Sequence, residues 1–237
     1  MQRNEQNTLF LDRNCVRAFF QSREKRFTIR GLMDGNPIAA HTNNSGSMLG
    51  LLRPGREILL SPAANPTRKL PYTLEMVYTG QFWVGVNTYT PNRMLRLAWQ
   101  NSLIPELKGF EHFRSEARIG NSRLDALLHG SGGRMWIEAK NVTLMEEDKA
   151  YFPDAVSKRA SKHMQELMIM ADAGYRTVCL YLVQRPDCHC FGPADFIDQE
   201  FADMLRKAVR KGLMVLAYDT VTDPTGITLY RPLPLKF

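Results

Sequence analysis

The sequence predicts an α+β fold: a small N-terminal β-barrel, then an α/β unit with a mixed sheet. Three observations carry this. Short strand-like segments crowd residues 1–87, separated by turn signals at Asp34-Gly35-Asn36-Pro37, Pro54-Gly55, Asn65-Pro66 and Thr79-Gly80. From Pro91 onward, helical periodicity alternates with strand patterns. Midway, two apolar segments flank a Gly-rich break, Gly130-Ser131-Gly132-Gly133, as the arms of a hairpin do. The expected division is residues 1–87 and 88–237.

Strands are predicted over 18–26, 27–33, 38–41, 57–61, 73–78 and 81–87. About five strands in so short a span fit an OB-like barrel, a common oligonucleotide-binding scaffold, although a fold alone does not establish that function. Arg13, Arg17, Arg23, Lys25, Arg26 and Arg30 interleave with Phe19, Phe20 and Phe27. That mixture suits single strands or a phosphate backbone. It equally suits a solvated rim around a phenylalanine core. The run His41 to Met48 is dense in donors and acceptors, fit for phosphate contact or for holding its own loop together.

Pro91 sits where the first turn of a helix tolerates proline. Met94, Leu95, Leu97, Ala98 and Leu103 then form an apolar stripe that Pro105 ends, and Trp99 reads as packing. Strands follow over 113–119, 124–128 and 134–140. A turn centred between Ser131 and Gly132 sets Asp125 opposite Glu138. Glu138 and Lys140 share one face, with Ile137 and Ala139 on the other. A turn at Gly120-Asn121 adds Glu116 opposite Asp125. Like charges placed directly across strands are destabilising. A divalent cation removes that cost, and a neighbouring lysine orients water or offsets developing phosphate charge. The acidic stretch 141–151 reads as a loop. A helix over 157–173 ends at Gly174, with Arg159 and His163 on one flank. A strand at 175–184, a helix at 196–211 and a last core strand at 213–218 complete the chain.

The formal charge is +7, and 11 Lys and Arg against 6 Asp and Glu lie in residues 1–87. An anionic partner is expected, nucleic acid first. Met1 to Thr8 lacks an apolar h-region, no run approaches membrane-spanning length, and 4 cysteines do not make a disulfide framework. A reducing cytoplasm is the expected compartment. Cys188-His189-Cys190 lacks zinc-site spacing and reads as a solvent-side loop. The Gly130–Gly133 break has no Gly-Lys-Ser/Thr after it, so it is a turn and no P-loop.

The Asp125, Glu138-x-Lys140 spacing is the signature of the PD-(D/E)xK nuclease-like superfamily. More broadly, the chain resembles the sugar fermentation stimulation protein family. The matching pieces are His41-x-x-Asn44-Ser45-Gly46-x-Met48; Val86-Asn87-Thr88 with Asn92; Ser115-Glu116; Gly120 with Ser122-Arg123-x-Asp125; Glu138-x-Lys140; and Phe152-Pro153-Asp154-Ala155-Val156 with Arg159 and Lys162-His163. Ala126 departs from the pattern, since an aromatic is common there. The resemblance implies an OB-like N-terminal domain, a PD-(D/E)xK nuclease-like C-terminal domain, DNA binding without strong sequence preference, and a regulatory role in sugar metabolism.

Two function classes follow. One is a Mg²⁺- or Mn²⁺-dependent nuclease, with Asp125, Glu138 and Lys140 catalytic and Asp125, Glu138 and Glu116 holding metal. Its nucleic acid lies against Arg26, His41, Asn44, Ser45, Arg123, Arg159, Lys162 and His163. The other is a non-catalytic DNA-binding regulator. A carboxylate cluster that is merely a structural ion-pair network ranks behind both.

Overall fold

The computed structural model describes residues 4–65, 67–119 and 122–237. Pro66 of one expected turn, and the whole Gly120-Asn121 turn, lie outside them. The first strand, β1 (Thr8–Phe10), does not join the barrel that residues 1–87 were expected to form. It adds to the far edge of the large C-terminal sheet instead.

The barrel is β2 (Val16–Glu24), β3 (Thr28–Met33), β4 (Asn36–His41), β5 (Glu57–Pro62) and β6 (Tyr72–Tyr78). They pair in the order β4-β3-β2-β5-β6, and β4 meets β6 at Ala40 and His41 to close the ring. Alternation turns Ala18, Phe20, Ile29, Ala40, Ile58, Leu60 and Leu74 inward. Of the three interleaved phenylalanines only Phe20 is core, while Phe19 and Phe27 stay exposed. A short β7 (Trp83–Gly85) extends the sheet beyond β6.

α1 (Thr90–Gln100) carries Pro91 in its first turn and buries Met94, Leu95 and Ala98. The meander follows: β8 (His112–Ile119), β9 (Ser122–Gly130) and β10 (Gly133–Val142). The expected acidic loop over 141–151 is in fact strand. β11 (Leu144–Glu146) and β12 (Lys149–Phe152) form a small sheet with a later strand: Leu144 and Ala150 are both buried, while Glu147 and Asp148 make the turn. α2 (Lys158–Asp172) begins at Ser157, whose Oγ accepts the Ala160 N–H at 3.2 Å. β13 (Arg176–Val183) is buried from Thr177 to Val183.

Next, β14 (Cys190–Pro193) pairs with β12. Cys188 and Cys190 are therefore buried, contrary to the expected solvent-side loop, and only His189 between them is exposed. α3 (Gln199–Arg210) is capped by Asp198. β15 (Met214–Asp223) is not the last strand: β16 (Gly226–Pro232) turns back along it and pairs with β1.

The large sheet has the order β1-β16-β15-β13-β10-β9-β8. β10, β13 and β15 are parallel, with α2 and α3 in the two crossovers. One face packs on those helices through Met164, Leu167, Phe201 and Leu205. The other packs on α1 and on the barrel residues Leu59, Met76 and Trp83. Among the described residues no helix is long and apolar enough to cross a membrane.

Candidate functional site

The site forms where β9 and β10 part. Their pairs run from Gly130↔Gly133 to Ala126↔Ile137, the register set by a turn between Ser131 and Gly132. The next pair would be Asp125 with Glu138, but the ladder stops there. The Asp125 carboxylate takes the place of a backbone partner: Oδ2 accepts the Ala139 N–H at 2.8 Å, and Oδ1 accepts from Asn92 Nδ2 of α1 at 2.8 Å. Burial, then the nearby Glu138 charge, push Asp125 above the usual carboxylate range against these two hydrogen bonds.

Glu138 is 3% exposed. Both its charged neighbours meet the same oxygen: Lys140 Nζ donates to Oε1 at 2.5 Å, and His163 Nδ1 of α2 lies 2.5 Å from it. Burial works to raise this carboxyl, but Lys140 and His163 outweigh it and bring Glu138 down to about 2. The Lys140 side chain is 14% exposed. Burial disfavours its charge, yet Glu138 holds its pKa above the ordinary lysine value. Glu138 is thus ionised and Lys140 protonated. The second oxygen, Glu138 Oε2, is buried with no hydrogen-bond partner. Such an orphan costs free energy unless something fills its acceptor role.

Glu116 belongs to the neighbouring strand. Ser115 pairs with Ala126 and Ala117 with Leu124, so Glu116 sits at the expected register. Its backbone has φ +50°, and the ladder skips it. The side chain is 66% exposed and lies 3.7 Å from Arg123, so the third carboxylate faces solvent. Among the described residues no group of three or more His, Cys, Asp or Glu is gathered closely enough to hold an ion. Two hard carboxylates with one orphaned oxygen still fit Mg²⁺, which uses one or two carboxylates and completes its shell with water and phosphate. Asp125 and Glu138 are the residues that could hold it.

A cleft of about 530 Å³ opens over this pair. Asp125, Glu138 and Lys140 line it, together with Arg26, Ser45, Arg123, Arg159 and His163. One wall is the barrel loop, fixed from behind: Arg23 donates to Asn44 O at 2.6 Å and to Gly46 O at 2.7 Å. The other is the segment leading into α2. The walls touch where Asp154 Oδ2 accepts the Met48 N–H at 2.9 Å and Ser47 Oγ donates to Asp154 O.

Three expected nucleic-acid contacts are placed differently. Asn44 lines the cleft but is buried, its amide donating to Val86 O at 3.1 Å and accepting from Gly46 N at 2.8 Å; it holds the loop. His41 lies away from the cleft with its ring over Phe27. Lys162 points off the flank that bears Arg159 and His163, 3.8 Å from Glu166. Asn92 and Asp154 stand in motifs whose sequence assigned them no role, and nothing in the sequence marked Tyr89 on the cleft's lip.

The chain has relatives. Residues 22–86 match the SfsA N-terminal OB domain, and residues 89–226 match the Sugar fermentation stimulation protein RE domain. A sugar fermentation stimulation protein homolog of Syntrophobacter fumaroxidans is 55% identical over 216 residues, covering 91% of this chain and 83% of that one. The homolog of Maridesulfovibrio salexigens is 49% identical over 230 residues, 96% of each chain. Among solved structures, that of Pyrococcus furiosus SfsA in complex with Ca²⁺ superposes with a TM-score of 0.92 over 98% of this chain and 99% of that one, at 24% identity. At that identity the likeness concerns the fold.

Proposed function

This chain belongs to the sugar fermentation stimulation protein family, and from that premise we propose that it is a divalent-metal-dependent phosphodiester hydrolase acting on DNA. The observation that carries the reading is the orphaned Glu138 Oε2, buried beside Asp125, a second carboxyl whose pKa burial and the Glu138 charge raise. Glu166 Oε2 is orphaned as well, beside Lys162; what sets Glu138 apart is that its open oxygen lies in the cleft with a second buried carboxylate, Asp125, beside it.

In this reading Asp125 and Glu138 hold Mg²⁺ or Mn²⁺, with Glu116 at the cleft edge as an outlying acid. The metal supplies charge neutralisation at the phosphate and a more acidic water. Asn92 and the Ala139 N–H fix the Asp125 carboxylate. His163 and Lys140 fix Glu138 through Oε1 and leave Oε2 open. Lys140, kept protonated by Glu138, offsets charge that develops on the phosphate. Arg26, Arg123 and Arg159 bind flanking phosphates, and exposed Ser45 adds a donor on the barrel wall. Residues 1–87, less β1, serve as the nucleic-acid platform and residues 88–237 as the catalytic unit. The Ca²⁺ in the Pyrococcus furiosus complex, a hard oxygen-seeking cation, supports a divalent site of this kind.

The test is cleavage of single-stranded, duplex and branched DNA with Mg²⁺ or Mn²⁺, comparing wild type with Lys140→Ala. Metal-dependent cutting lost in the variant is expected. One observation favours a second reading, a non-catalytic DNA-binding regulator: the Lys140 ammonium already pairs with Glu138 through Oε1, with His163 Nδ1 on the same oxygen. Salt-sensitive binding without cutting on any substrate would select it.

A further inference from the structure

We infer that the cleft takes a single strand of nucleic acid, with one unpaired base stacked on Tyr89 and the adjoining phosphate lowered onto the Asp125–Glu138 pair. This deepens the hydrolase reading and rests on it for the chemistry; the strand preference itself rests on the shape and lining of the cleft.

The chemistry lies at the bottom of the cleft. Glu138 and Lys140 are nearly buried. The volume above them, about 530 Å³, falls in the range of small-ligand pockets, roughly 300–1,000 Å³. Its walls come from the barrel loop and the segment before α2, and the Met48–Asp154 and Ser47–Asp154 hydrogen bonds join those walls. In this reading a space of that size takes one strand in preference to a paired helix. A single strand can enter it.

The lip of the cleft carries what a single strand needs. Tyr89 is 66% exposed, and among the described residues its ring meets no other ring and its hydroxyl makes no hydrogen bond. Its backbone is nonetheless fixed: the Tyr89 N–H donates to Asn87 Oδ1 at 2.9 Å, and the Tyr89 carbonyl accepts from Arg93 N in the first turn of α1. Val156, 72% exposed, lines the same cleft. Single exposed apolar side chains are ordinary on a protein surface. An exposed aromatic on a fixed backbone, lining one cleft with arginines and a carboxylate pair, matches the stacking platforms of single-strand binders. Arg26 and Arg159 form no ion pair among the described residues, so their guanidiniums are free for phosphate. Stacking on a protein ring requires an unpaired base, as found in a single strand, an overhang or a flap.

The experiment measures fluorescence polarisation of the full-length protein in EDTA. The probes are a labelled oligothymidylate of about 12 nucleotides, within the site size of an OB fold, and a blunt duplex of the same length. The expected result is at least 10-fold tighter binding of the single strand. Tyr89→Ala should lose about 10-fold on the single strand, the worth of one stacked base, and nothing on the duplex. Tyr89→Phe and Tyr89→Trp should keep the affinity. One abasic position in the oligonucleotide should weaken wild type by a similar factor and leave Tyr89→Ala unaffected. Equal binding of both probes, or a Tyr89→Ala protein indistinguishable from wild type, overturns the inference. Adding Mg²⁺ separates the two claims. Tyr89-dependent binding without cleavage removes the hydrolase and keeps the strand site; cleavage of blunt duplex as fast as of single strand does the reverse.

Discussion

Replacing Glu138 with Gln should show up first in acid stability. Burial alone would raise this carboxyl, yet Lys140 and His163 on Oε1 take it from 4.5 to about 2. That difference, at 1.36 kcal/mol per pK unit, is about 3 kcal/mol, and the nearly complete burial of Glu138 leaves little solvent screening to discount it. Because the folded pKa lies below the unfolded one, the contribution is complete above pH of about 4.5 and is lost as pH falls from there toward about 2. Asp125 acts in the opposite sense: its raised pKa makes its ionised form a cost near neutrality, relieved on acidification. The wild-type profile alone blends the two, so the informative quantity is the difference between wild type and Glu138→Gln. Urea unfolding in EDTA, followed by circular dichroism, should give a difference of about 3 kcal/mol at neutral pH, worth roughly 6–12 °C in Tm for a chain of this size. It should decline below pH of about 4.5. A difference that is flat with pH, or that grows on acidification, would refute the assignment of Glu138 as an ionised carboxylate held by Lys140 and His163.

Three further outcomes are expected. Without metal, Asp125→Asn should leave Tm unchanged or raise it, since it removes a buried, crowded charge; saturating Mg²⁺ should then stabilise wild type, by about 2.7 kcal/mol at 100-fold over Kd, and leave the variant unmoved, whereas equal metal response in both would remove Asp125 from the metal site. Gly46→Ala should lower stability by about 1–3 kcal/mol in thermal melts, because a Cβ there lands on the Asp154 carboxylate that joins the two cleft walls. Oligonucleotide affinity should fall steeply with salt, with a log–log slope of about −0.7 for each phosphate neutralised on a single strand; a flat response would exclude the arginines as phosphate ligands.

Much of the site was legible because it is local. Both hairpin registers follow from turn chemistry and alternation, which place Glu138 and Lys140 on one face and Glu116 at the level of Asp125. What alternation cannot show is that Asp125 takes a backbone N–H and ends the ladder one pair early. The sequence put His163 on one flank with Arg159, but its contact with Glu138 crosses from helix to strand over 25 residues of chain and leaves no periodic trace. β1 and β16 went unread for a related reason. Three residues, Thr8 to Phe10, are too few for an alternation signal, and their partners lie at the opposite end of the chain. The Cys188-His189-Cys190 run, without zinc-site spacing, read as a solvent-side loop. Its two thiols are interior because β14 leans on β12, whose own strand character was masked by the acidic turn between β11 and β12.

The barrel and the large sheet meet through a shared apolar cluster, where Leu59, Met76 and Trp83 sit with Ala126, Ile137 and Leu180. Separating the chain after Asn87 would therefore leave two wet hydrophobic scars rather than two finished proteins, each inclined to aggregate. The same junction sets the base of the cleft, since the barrel that carries one wall and the sheet that carries Asp125 and Glu138 share that apolar cluster.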